Sequence, residues 1–160
     1  MTASSLLAGP ESASHPRARI TAEVQANPGA SITDLASATG LGHTTVGHHV
    51  AVLQRRGLVV RERWGGSVRV FPTELNPLHR ALLAQVRAPR TGEVLRALAE
   101  QPRATPIALS KLLGLHGKAV QWHLSRLEQA GILRVDRQHR PYRLALIVRP
   151  EAVLRLLAAP

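Results

Sequence analysis

The sequence predicts a mainly α-helical fold with small β-hairpins (α+β), built as two tandem copies of one unit joined by a helix. Three observations lead there. The chain aligns with itself at a single offset of 74 residues, as Leu35 to Leu109. Within each copy, apolar residues recur at helical spacing over three successive stretches. Each third stretch is followed by two short β-branched runs around a turn.

The offset pairs Pro28 with Pro102, Ala30 with Ala104, Gly40 with Gly114, Val46 with Val120, His49 with His123, Leu53 with Leu127 and Gly57 with Gly131. No insertion is needed between Arg17–Pro72 and Thr91–Leu146. Two copies are a tandem duplication and too few for a solenoid.

Taken in order, residues 1–15 are rich in Ser, Ala and Gly and are expected to form a disordered tail, followed by a first domain over 16–73. Residues 17–26 and 91–100 predict first helices, stopped by Asn27-Pro28 and Gln101-Pro102. Second helices follow, one opened by a Ser31/Asp34 capping box and the other by Thr105 with Pro106 at the first helical position. Gly40 and Gly114 end them as left-handed caps. Third helices run from about Thr44 to Arg56 and from about Gly117 to Ala130, ended by Gly57 and Gly131. Strands are predicted over Leu58–Arg63 and Ser67–Phe71 around Trp64-Gly65-Gly66, and over Ile132–Arg137 and Tyr142–Ile147 around residues 138–141. Three helices and then a hairpin is the winged helix-turn-helix order.

Between the copies, Leu75, Leu78, Leu82, Leu83 and Val86 form one helical stripe, so a connecting helix is expected within 74–89. The second domain then covers 90–148, and a last helix is expected in 149–160 after Pro150.

Composition narrows function. Twenty-one Lys and Arg against ten Asp and Glu give a net charge of +11, which points to a polyanionic partner. Four aromatic residues (Trp64, Phe71, Trp122 and Tyr142) are too few for base-stacking sheets. The absence of cysteine removes disulfides, thiolate metal sites and cysteine nucleophiles. No apolar run is long enough for a membrane span and the N-terminus lacks a signal-peptide pattern, so a cytoplasmic, nucleoid-associated location is expected. Sparse carboxylates and the lack of a glycine-rich phosphate loop argue against an enzyme, and no cofactor or small-molecule ligand is evident. His43, His48 and His49 cluster without the i, i+4 spacing of a helical zinc site, so no metal is expected.

The stretches Val46–Val59 and Val120–Leu133 resemble recognition helices of ArsR/MarR-type winged-helix transcription regulators, and Leu35-Ala36 with Thr39-Gly40-Leu41 resembles their positioning helix and turn. The tandem arrangement is similar to small prokaryotic, especially archaeal, double winged-helix regulators. Helical geometry sets Val46, His49, Val50 and Leu53 on one face and Thr44, Gly47, His48, Ala51 and Arg55 opposite. The resemblance implies that the second face enters the major groove of double-stranded DNA. It further implies that Thr45 and Arg56 contribute and that the wing arginines Arg61, Arg63 and Arg69 meet the backbone. Between positions 55 and 69 five arginines face a single acidic residue, Glu62. Gly47 is costly inside a helix; it either allows close backbone approach to DNA or is simply tolerated.

In the second copy the outward row is Lys118, Gln121, Trp122, Ser125 and Gln129, with Arg137, Arg140 and Arg143 on the wing. Lys118, Gln121 and Ser125 suit DNA contact, whereas Trp122 stands where the first copy has His48 and suits a protein interface. A homodimer is expected through the connecting and C-terminal helices, with Leu82, Leu156 and Trp122 as interface residues. The leading functional reading is a transcription regulator. A nucleoid protein that coats or bridges DNA, and a protein-interaction module, are the alternatives.

Overall fold

The computed structural model describes residues 15–159, so the expected tail lies outside the described residues except for His15. That residue caps the first helix, its Nδ1 accepting from the Arg17 amide at 3.3 Å. The chain divides into two compact units, residues 1–76 and 77–160.

The first unit contains α1 (Pro16–Ala26), β1 (Ala30–Ser31), α2 (Ile32–Thr39), α3 (His43–Arg55), β2 (Val59–Trp64) and β3 (Ser67–Pro72). The Ser31/Asp34 capping box is formed in both directions, and Gly40 takes the left-handed cap at φ 66°. Helix α3 closes on Gly57 at φ 70°, where the Leu58 amide donates to Leu53 O at 3.0 Å and the Gly57 amide to Gln54 O at 2.9 Å. That pattern satisfies carbonyls which the helix end would otherwise leave bare. Ile20, Val24, Ala30, Leu35, Val46, Val50, Leu53, Val59 and Val70 form the core.

The second unit contains α4 (Pro77–Val86), α5 (Pro89–Glu100), α6 (Pro106–Leu113), α7 (Gly117–Gln129), β4 (Leu133–Asp136), β5 (Arg143–Leu146) and α8 (Pro150–Ala158). Shifting the nine core positions of the first unit by 74 gives Val94, Leu98, Ala104, Leu109, Val120, Leu124, Leu127, Leu133 and Leu144, all buried except the half-buried Ala104. The duplication is therefore a duplication of the core.

Four expectations are corrected. The connecting helix is shorter than 74–89 and belongs to the second unit, where α4 and α8 both pack against α5. Leu82, expected at a dimer interface, is 4% exposed and Val153 is fully buried, so these two positions are taken up within the unit, while Leu78 stays exposed and Leu154, Leu156 and Leu157 are half-buried. Gly92 lets these helices close: a Cβ there would lie 2.7 Å from Val86 O and 3.6 Å from Leu157 Cδ2. Trp64 belongs to β2, because Gly65 (φ 56°) and Gly66 (φ 86°) complete a two-residue hairpin turn by themselves.

The fourth correction concerns the sheets. In the first unit they are three-stranded in order β1-β3-β2, with Ala30 opposite Val70 and Ser31 opposite Arg69. The second unit has the two strands β4-β5 among its described residues. Gly29, at φ 85°, turns the chain so that its amide reaches Val70 O at 2.8 Å. Position 103 of the second unit is an arginine, for which positive φ is unfavourable.

Candidate nucleic-acid interface

Helix α3 presents two chemically distinct faces. Val46, Val50 and Leu53 are buried, while Thr44, Thr45, His48, Arg55 and Arg56 are exposed. Gly47 and Ala51 are half-buried. The helix carries no acidic residue. A Cβ at Gly47 would meet nothing within 4 Å, so this glycine serves no packing constraint inside the unit.

The wing arginines divide by what they touch. Arg61 and Arg63 are exposed on β2; Arg61 Nε hydrogen-bonds Gln54 Oε1, and Arg63 Nη1 donates to Gly66 O at 3.2 Å. Both are long, exposed cations on a hairpin, available for exchange to a phosphate. Arg69 is different. It is half-buried on the central strand and its Nη1 donates to Gly29 O at 3.0 Å, pinning β1 to β3. The sequence grouped it with the other two, but its fixed partner is the fold itself.

The second unit repeats the scaffold with altered chemistry. Lys118, Gln121 and Ser125 are exposed on α7 as expected. Trp122 is 56% exposed, with the Arg126 guanidinium 5.3 Å from its ring centroid and the His123 ring edge-on at 4.9 Å. Arg126 is fixed from its other side, donating to the buried Gln85 Oε1 at 2.9 Å. The indole is thus a held, outward surface. On the wing, Arg137 forms a two-pronged ion pair with Glu128 at 2.8 and 2.7 Å, which holds the Glu128 carboxyl below its ordinary range and neutralises that arginine. Arg140 lies 4.7 Å from the Tyr142 ring centroid, and Arg143 is exposed on β5. Leu156 is half-buried on α8.

The repeated histidines differ in partner. His123 is buried and shares a 3.0 Å hydrogen bond with Thr91 Oγ1. His49 is half-buried beside His48 and His15, with ring centroids at 5.5 and 6.5 Å, and the position equivalent to Thr91 is Arg17. Burial depresses both pKa values, followed by the positive charge of Arg126 for His123 and of Arg17 for His49. No cluster of three or more metal-ligating groups exists among the described residues.

Sequence reasoning missed two participants. Gln54 carries Arg61, and Arg103 lines a cleft beside the second wing with Arg140 and Arg143. The second was legible as a break in the repeat, arginine where the first copy has Gly29.

Comparison with known proteins agrees with the two-unit architecture. Residues 14–83 match a family model described as an N-terminal HTH domain. Residues 87–134 match one described as winged helix-turn-helix DNA-binding. No curated protein sequence matches the chain. Human N-acetylserotonin methyltransferase in complex with SAM aligns at 14% identity and a TM-score of 0.31, over 82% of this chain and 45% of that one. That likeness is too low to carry an argument. No helix among the described residues is long and apolar enough to cross a membrane.

Proposed function

We propose that this chain, whose halves match an N-terminal HTH domain and a winged helix-turn-helix DNA-binding domain, is a transcription regulator that reads double-stranded DNA chiefly through its first unit. In this reading α3 enters the major groove with Thr44, Thr45 and His48, and Arg55, Arg56, Arg61 and Arg63 neutralise phosphates. The observation that carries it is the outer face of α3: hydrogen-bonding and small residues, no carboxylate, and a glycine whose missing side chain relieves nothing inside the protein. Lys118, Gln121 and Ser125 add contacts from the second unit, with Arg140 and Arg143 on its wing.

Selection from random duplexes tests this directly. A recovered motif that His48→Ala alters supports base reading by α3. Recovery of no motif, together with broad genomic occupancy after immunoprecipitation, replaces the regulator with a DNA-coating protein.

A self-association surface is a second reading, favoured by one observation. Trp122, Ile107 and Leu112 are exposed in the second unit where the first has His48, Thr33 and Ala38. A homodimer would use that face, because Leu82 is buried. Light scattering decides: a mass near 17.3 kDa at micromolar concentration rejects a stable dimer.

A further inference from the structure

Where β1 pairs with β3 in the first unit, the second has a cleft of about 560 Å³, lined by residues 102–105, which include the counterparts of β1, on one side and 139–144 on the other. Its two walls are the turn leading into α6 and the end of the wing. In the first unit the equivalent arginine, Arg69, donates through Nη1 to Gly29 O at 3.0 Å. In the second, Gly29 is replaced by Arg103, which keeps the backbone carbonyl but adds a guanidinium to the cleft that Arg143 also lines. The β1 pairing is absent from the described residues of the second unit, and two guanidinium-bearing residues border the gap.

The geometry points to a binding site for a phosphate-bearing ligand in this cleft. Arg103 and Arg143 supply guanidinium forks that match phosphate oxygens. Thr105, the N-cap of α6, lines the same wall; its hydroxyl accepts from the Ala108 amide at 3.1 Å and keeps its proton to donate. Arg140, fixed over Tyr142, adds a third cation. His139 lines the cleft and pairs with Asp136, Nδ1 to Oδ2 at 2.9 Å; the Asp136 carboxylate also accepts from the Gln138 amide and lies within the field of Arg143. The volume admits a phosphorylated small molecule as well as one backbone phosphate of a nucleic acid. A ligand bridging the two walls would join the wing to the helix-turn-helix as the β1 ladder does in the first unit.

The test uses the full chain and inorganic phosphate, titrated at constant ionic strength against chloride, with backbone amide resonances as readout. Saturable shifts at Ala104, Thr105, Tyr142 and Arg143 are expected, with none at Ala30, Ser31 and Arg69. Arg103→Gly, which restores the residue of the first unit, and Arg143→Gln should each weaken the apparent affinity about tenfold; Arg96→Gln, at an exposed arginine on α5 outside the cleft, should leave it unchanged. Arg103 is exposed, so its variant keeps the fold and decides the matter even if Arg143→Gln disturbs the hairpin. Shifts that never saturate, that appear equally in both units, or that saturate in Arg103→Gly with undiminished affinity overturn the site. A random duplex then identifies the source. If Arg103→Gly weakens duplex binding and phosphate competes with it, the cleft takes DNA backbone; if neither occurs while phosphate still saturates, it takes a free phosphorylated molecule. The phosphate titration involves no DNA, so its failure leaves the regulator reading standing, and the reverse also holds.

Discussion

Gly47→Ala separates what the fold wants from what the DNA-facing surface wants. Inside a helix glycine is about 1 kcal/mol worse than alanine, through the backbone entropy it loses on folding. At Gly47 φ is not positive and the added Cβ would find nothing within 4 Å, so no steric term opposes that gain. The duplicate unit carries Gln121 at the same helical position, exposed and accommodated. Alanine should therefore stabilise the protein by about 1 kcal/mol, measured by chemical denaturation. Binding should move the other way. If the backbone of α3 approaches the duplex at Gly47, a methyl group there pushes away the neighbouring groups of Thr44 and His48. Removing one base hydrogen-bonding pair costs about 1–3 kcal/mol, hence about tenfold or more in affinity by fluorescence anisotropy at fixed salt. A variant that is more stable and binds as tightly as the parent refutes close approach at this position. A variant that is less stable refutes the geometry of α3 itself.

Gly92→Ala should do the opposite to stability, costing about 1–3 kcal/mol despite the better helix propensity of alanine, because its Cβ would lie 2.7 Å from Val86 O; an unchanged denaturation midpoint would contradict the close packing of α4 on α5. Arg61→Gln with Arg63→Gln should weaken binding to all duplexes alike and shallow the log–log salt slope by about 0.9 for each phosphate no longer neutralised. Arg69→Gln should first lower stability, since its guanidinium holds β1 through Gly29 O. Stability should be highest above pH 6.5 and fall as the pH drops below it, because the unfolded chain protonates His123 at its ordinary value of 6.5 while burial and Arg126 depress the folded value. The fall levels off below that depressed value, and His123→Gln, which keeps a partner for Thr91, should flatten the thermal-melting profile across the window. In random-duplex selection, His48→Ala should change the preferred sequence more than Gln121→Ala; identical motifs from parent and His48→Ala would remove His48 from base reading.

Most of the scaffold was legible because local signals repeat. Gly40, Gly57, Gly114 and Gly131 each mark a helix end that needs positive φ, and each takes it. Core positions were legible because the same columns are apolar twice. What escaped were features with no local periodicity. Two-residue β1 has no alternation to read, and its cause is the conformation of Gly29. The packing of α4 and α8 was invisible because an apolar stripe states that a face is buried without saying against what. At the site, exposure of Thr44, Thr45 and His48 followed from helical geometry, whereas the differing roles of Arg61, Arg69 and Arg137 depend on partners distant in sequence.

The positions where the duplicates part company carry more functional information than those they share. Shared residues are mainly core and caps, which a merely structural module would also keep. Divergence is concentrated on the surface, and it has a direction. Going from the first unit to the second, Thr33, Ala38 and His48 become Ile107, Leu112 and Trp122, so a polar or small face becomes apolar. Gly47 becomes Gln121, which adds bulk to a face that had none. Gly29 becomes Arg103, which removes a strand and leaves a cationic cleft. None of these changes is required by packing, since all the second-unit residues named lie at least partly exposed. A protein that used two identical DNA readers would have no reason to exchange hydrogen-bonding groups for exposed indole and aliphatic surface, which carries a solubility cost. On the proposed reading, division of labour gives a reason: one unit keeps the small, polar face of α3 for the groove, while the other adds exposed apolar surface and a cationic cleft suited to a protein contact and an anion.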